Sequence, residues 1–256
     1  MGLRVEVLGF AGAAPLQGAC PGYLVGDGAT SVLLDCGPGT LERLWRRGLL
    51  DRVDAIVISH MHADHIADLL FFAGDFARSL LSRPPLLYVP RGEGPEMLER
   101  LHLLFARDAR SPNRFAQTFE LREYDASSRL QIAELSFAFA ATEHRQPCLA
   151  ARVSDADTVV VYGADSAWSP KLAELAAGAD LLILEATHLE DERAASAQGH
   201  LTASQAGRLA AAAGAGRLLL THTLAGVDRA ALIERARSTF SGPVDVASEG
   251  YAFPTP

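Results

Sequence analysis

Ser59-His60-Met61-His62-Ala63-Asp64-His65 is the stretch on which the reading of this sequence turns. It has the form H-x-H-x-D-H and follows the hydrophobic run Val53-Asp54-Ala55-Ile56-Val57-Ile58. That run reads as a buried strand. Asp64 then opens a helix whose apolar positions include Ile66, Leu69, Leu70 and Phe76. Side chains two apart on an extended loop share a face, so the imidazoles of His60 and His62 point the same way. Asp64 and His65 turn away at the helix start and can serve a second ion. Imidazole with carboxylate suits zinc, with manganese or iron as alternatives. Asp64 alone would read as a helix N-cap, and a single histidine as a surface or core residue. Three histidines and an aspartate at this spacing, after a buried strand, point to metal.

A catalytic site for two ions needs further ligands from distant positions. His144 follows the apolar run 135–141, Asp165 follows 159–163, and His222 follows 218–221. Ligands collect at the C-terminal ends of strands in α/β architectures. Working outward, strands are predicted at 5–8, 23–25, 31–34, 86–89, 119–121, 135–141, 149–153 and 158–162. Helices are predicted at 40–47, with Thr40 as cap, and at 95–107. The last third alternates: helix 170–177, strand 181–184, helix 202–213, strand 217–220, helix 228–239, strand 244–246. Both halves are β-rich and finish with α/β units. They predict two sheets packed face to face with helices outside, although composition alone does not choose this over other α/β folds. No linker or repeat divides the chain, so residues 1–256 are expected to form one domain.

The 256 residues are 49% apolar and 21% charged, an ordinary globular mixture that excludes disorder. No apolar run reaches the roughly 18 residues that cross a bilayer. The N-terminus enters a strand pattern without the features of an export signal. The chain is therefore expected in the cytoplasm, with no membrane partner. The net charge of -8 argues against a general nucleic-acid binder. Cys20, Cys36 and Cys148 are too few and too scattered for a disulfide framework or a cysteine zinc knuckle.

With His60, His62, Asp64 and His65 followed in order by His144, Asp165 and His222, the chain resembles the metallo-β-lactamase superfamily over almost its whole length. That resemblance implies an α/β fold, the αββα four-layer sandwich, and two zinc ions. It implies that His60, His62 and His144 hold one ion, that Asp64, His65 and His222 hold the other, and that Asp165 bridges them. Leu34-Asp35-Cys36-Gly37 matches the family's early aspartate motif, whose carboxylate supports the histidine loop. Leu184-Glu185-Ala186-Thr187-His188 and Gly199-His200-Leu201-Thr202 are similar to segments of the ribonuclease Z-like branch. This finer likeness implies His200 as general acid, with Glu185 orienting it or sharing the proton. Asp64 joins them in the catalytic set.

One departure stands out. The branch's tRNA-processing members carry a long basic arm between the third histidine and the bridging aspartate. Here only 145–164 separate His144 from Asp165, and nearly all of it reads as strand and tight turn. The expectation is a phosphodiesterase for a small phosphodiester or cyclic nucleotide, attacked by a hydroxide shared between the ions, with no stable nucleic-acid complex. The alternative is hydrolysis of a carboxylic ester, lactone or thioester. A tRNA endonuclease or a non-catalytic metal protein ranks below both. A homodimer is expected, with the apolar Leu69–Phe76 helix as one face. Residues 107–119, with Arg114 and Phe115, are expected to border the substrate mouth. His102 and His188 receive no role.

Overall fold

In the computed structural model, residues 2–106, 108, 111–189 and 191–254 are described. The strands are β1 (Arg4–Gly9), β2 (Gly22–Gly26), β3 (Ser31–Leu34), β4 (Ala55–Val57), β5 (Leu86–Pro90), β6 (Glu120–Tyr124), β7 (Arg129–Ile132), β8 (Leu135–Ala141), β9 (Leu149–Ser154), β10 (Val159–Tyr162), β11 (Leu181–Glu185), β12 (Leu218–Thr221), β13 (Val244–Val246) and β14 (Ala252–Phe253). They form two seven-stranded sheets, ordered β14-β1-β2-β3-β4-β5-β6 and β13-β12-β11-β10-β9-β8-β7. Both are mixed. β3 through β6 run parallel, as do β10 through β13, and antiparallel pairs complete each sheet.

The packing follows from the alternation of side chains along each strand. Val5, Val7, Tyr23, Val25, Leu34 and Val57 of the first sheet meet Phe137, Phe139, Val153, Val160, Ile183 and Leu219 of the second in one buried layer. The opposite face of β11 sends Leu182 and Leu184 against Ala206, Leu209 and Leu232 of the outer helices. β11 is thus covered on both faces, which is why its sequence is a continuous apolar run. On the outside of the first sheet, Ile56, Ile58 and Leu87 pack against Leu44, Leu69, Phe72 and Leu98. The result is the expected αββα sandwich. No helix among the described residues is long and apolar enough to cross a membrane.

Several local expectations are corrected. The helix predicted from Asp64 onward is three short pieces, Ala63–Ile66, Asp68–Phe72 and Asp75–Ser79. The backbone N–H of Asp68 leaves the helical ladder and donates to Cys36 O at 3.1 Å, and Cys36 N–H donates to His65 O at 2.8 Å. These two bonds fasten the histidine loop to the end of β3. Thr40 does not cap its helix. Gly39 occupies that position in a left-handed conformation, and Asp68 Oδ2 accepts the Leu41 N–H at 2.8 Å instead. Phe115 does not face a substrate mouth. It is buried on the outside of the first sheet with Phe72 and Phe119. Arg107, Ala109 and Arg110 of the predicted mouth segment lie outside the described residues. The interval 145–164 holds β9 and β10 joined by a tight turn, in which Asp155 Oδ1 accepts the N–H groups of Asp157 and Thr158.

Candidate metal centre

The histidine loop leaves β4 in the first sheet, while His144, Asp165 and His222 follow β8, β10 and β12 in the second. The crevice between the sheets brings all seven predicted ligands together. His60, His62, His144 and Asp165 form one group, and Asp64, His65 and His222 form another; within each, the potential ligand atoms lie within 4.8 Å of one another. Asp165 faces both. Its Oδ2 lies 3.7 Å from His60 Nε2 and 3.9 Å from His144 Nε2, while its Oδ1 lies 3.4 Å from His65 Nε2 and 3.5 Å from His222 Nε2.

Ring orientation is set from behind. His144 Nδ1–H donates to Gly199 O at 2.9 Å, and a carbonyl only accepts, so Nε2 is the atom left facing the site. His65 Nδ1–H donates to Asp35 Oδ2 at 2.7 Å. His60 Nδ1 lies 3.0 Å from Ser59 Oγ, and His222 Nδ1 lies 2.9 Å from Thr187 Oγ1. His62 differs, presenting Nδ1 inward at 2.9 Å from His60 Nε2 and 3.2 Å from His144 Nε2. Asp64 Oδ2 accepts the Ala13 N–H at 2.8 Å and lies 3.2 Å from His222 Nε2. Gly12 permits this approach, since a Cβ there would sit 2.8 Å from the His222 ring.

Asp35 is fully buried and holds a left-handed backbone at φ 58°. It accepts from Ser59 N–H (2.7 Å), Ser59 Oγ–H (2.8 Å), His65 Nδ1–H and Tyr162 OH (2.7 Å). Sequence reading anticipated Asp35 but gave Ser59 and Tyr162 no role. Ser59 could have been marked by its position directly before the first histidine. No local signal marks Tyr162.

The electrostatics are those of a closely packed mixed-charge cluster. Burial and the neighbouring His65 push His60 well below its ordinary value. Burial and His144 lower His62. Burial also opposes charge on His65, but Asp165 and Asp35 outweigh it and hold that ring well above the usual imidazole range. His222 is raised against burial by Asp165 and by its hydrogen bond to Asp64. Asp64 and Asp165, despite burial, are held below the carboxylate range by His222 and His65. Two atoms aimed into the cluster, His65 Nε2 and Asp165 Oδ1, are buried with no hydrogen-bond partner. Lone pairs gathered this closely, two of their atoms otherwise unpaired, fit divalent cations.

His200 stands beside both groups, with ring centroids 5.1 Å from His144 and 5.7 Å from His222. Its Nδ1 lies 2.9 and 3.1 Å from the two carboxylate oxygens of buried Glu185. Burial alone would lower His200, and the Glu185 hydrogen bond reverses this and raises it. His188 is half-buried, 6.3 Å from His200 between ring centroids. His102 is buried away from the site, its Nε2 3.2 Å from Ser111 O. Burial lifts all three cysteine thiols, Cys20 to about 12, so none is a nucleophile at neutral pH.

Residues 30–223 match the family model for the beta-lactamase superfamily domain. The chain belongs to that superfamily. It is 33% identical to the probable metallo-hydrolase YhfI of Bacillus subtilis, covering 98% of this chain and 99% of that protein. The crystal structure of YhfI superimposes with a TM-score of 0.87 at 30% identity, over 99% of this chain and 100% of that one. A ribonuclease Z of Myxococcus xanthus is 27% identical over 308 aligned positions, covering 99% of this chain and 98% of the other. Membership of this superfamily, with a His/Asp cluster able to hold metal, makes this a metal-dependent hydrolase of the ribonuclease Z-like kind.

Proposed function

We propose that this superfamily member hydrolyses a small phosphodiester, such as a cyclic nucleotide, with two zinc ions. His60, His62, His144 and Asp165 would hold one ion, and Asp64, His65, His222 and Asp165 the other, on one domain spanning the chain. Bound there, divalent cations supply water acidified towards neutral pH and positive charge for the developing oxyanion. The observation that carries the choice of phosphodiester is the His200–Glu185 pair. An alkoxide leaving from phosphorus is a poor leaving group and needs a proton. Glu185 accepts His200 Nδ1–H and raises the ring above its ordinary value, which favours the protonated form and leaves Nε2–H as the proton it can release.

The β9–β10 hairpin supports a small substrate, because it fills the interval between His144 and Asp165 without an arm. The 308-position alignment supports it as well, since a chain of 256 residues leaves the Myxococcus ribonuclease Z with segments that this protein lacks. The test is a comparison of bis(p-nitrophenyl) phosphate and cyclic nucleotides with p-nitrophenyl acetate and a lactone, with zinc and manganese each supplied. Faster turnover of the phosphodiesters supports the reading. Selective turnover of the acetate or lactone overturns it in favour of a carboxylic ester substrate.

We also infer a homodimer. Trp45, Phe71 and Phe76 are 58%, 64% and 73% exposed and line one shallow apolar cavity with Leu41 and Leu80. Large exposed aromatics grouped in this way favour a protein interface. Leu69 and Phe72 of the predicted dimer helix instead turn into the core.

A further inference from the structure

Glu185 ends β11, and the chain carries Thr187 two residues on, where side chains again share a face. The Glu185 carboxylate is 1% exposed and serves three partners. Its Oε1 accepts the Ser166 N–H at 2.8 Å and His200 Nδ1–H at 2.9 Å. Its Oε2 lies 2.6 Å from Thr187 Oγ1. Thr187 Oγ1 also lies 2.9 Å from His222 Nδ1 and 3.1 Å from His222 O.

A hydroxyl has one proton to give. The shortest of these contacts, 2.6 Å, is to a carboxylate oxygen, which has no proton of its own to offer Thr187 while it accepts from Ser166 and His200, so the hydroxyl proton points to Glu185. The oxygen lone pairs then accept Nδ1–H from His222, which leaves His222 Nε2 facing Asp64 and Asp165 as the atom free to bind a cation. His222 holds a left-handed backbone at φ 49°, a conformation that needs outside restraint in a residue with a side chain.

We propose that Thr187 is a positioning residue, its hydroxyl tying His222 to the same carboxylate that orients His200. One buried group thereby sets both the proton donor and a ligand of the second cation. Because Ser166 follows Asp165, the Ser166 N–H bond brings the bridging aspartate's backbone under the same control. This rests on the metal-hydrolase reading above.

The test uses the full chain loaded with zinc and challenged with a graded chelator, comparing wild type with Thr187→Val, Thr187→Ala and Thr187→Ser. Circular dichroism melting checks that each variant is folded. Contacts behind a metal ligand are worth about 10–100-fold in affinity. Thr187→Val and Thr187→Ala should release one of the two equivalents that much more readily, while Thr187→Ser, which keeps the hydroxyl, stays within about threefold of wild type. Wild-type zinc retention in Thr187→Val or Thr187→Ala overturns the assignment. So does a loss in Thr187→Ser as large as that in Thr187→Val, because packing and not the hydroxyl would then be responsible. The wild type is measured first: failure to bind zinc overturns the hydrolase reading itself, whereas a zinc-loaded wild type with indifferent variants overturns Thr187 alone.

Discussion

Asp165 Oδ1 stands 3.4 Å from His65 Nε2, and both atoms are buried without a hydrogen-bond partner. Two such atoms cost about 1–3 kcal/mol each when nothing satisfies them. A cation between the groups would remove that cost, and Asp165 turns one carboxylate oxygen toward each group. Asp165→Asn should therefore cost more than the roughly 10–100-fold carried by a contact behind a ligand. Zinc content and turnover should fall together, as read by elemental analysis and rate on one preparation.

His200→Ala should leave zinc content unchanged. A positioned acid contributes about 10²–10⁴-fold, and the loss should grow as the leaving group becomes more basic. Rates on a p-nitrophenyl phosphodiester and on an alkyl phosphodiester check this. An alkyl rate equal to wild type would remove His200 as proton donor.

The pH dependence follows from the same pair. His200 is raised by Glu185 above the ordinary imidazole value of about 6.5. The pair's stabilisation is complete below that value and is lost as pH rises through the raised one. The donor is then spent, so turnover of alkyl substrates should fall on the alkaline side. Glu185→Gln removes the main cause of the rise, and the alkaline limb should move to lower pH. A limb that stays in place would assign it to another group.

Tyr162→Phe should destabilise the fold. It removes one of the donors to the fully buried Asp35 carboxylate, and hydrogen bonds to charged groups are worth about 1.5–3 kcal/mol. Denaturant unfolding of the metal-free chain measures this. An unchanged midpoint would show that Ser59 and His65 satisfy Asp35 unaided.

A double change of Phe71→Glu and Phe76→Glu should turn a sedimenting dimer into a monomer and leave zinc content intact. A wild-type monomer in the same run refutes the homodimer.

The candidate ligands were legible because each stands at the end of an apolar strand, and strand ends are where α/β folds collect chemistry. Local pattern also gave most of the strands and the helix Ala203–Ala213, whose Thr202–Gln205 capping box is readable in the sequence. Patterning failed where a distant group intervened. The helix after Asp64 breaks because Cys36 takes the Asp68 N–H, and Thr40 yields to Asp68, which reaches across from another helix. Phe115 looked available for a ligand because nothing local shows that Phe72 and Phe119 enclose it. Tyr162 and Ser59 meet at Asp35 only after the two sheets have closed.

The crevice has a consequence for how the chain stays closed. Its three cysteines are buried and unpaired, so no covalent cross-link joins the halves. Zinc held by the histidine loop of one sheet and by strand ends of the other would act as a reversible clasp across a wide span of sequence. Ligands that bind only the folded state stabilise it by mass action. The supply of free metal would thus govern how long the protein survives as well as how fast it works, and metal-starved cells would lose the protein along with its activity.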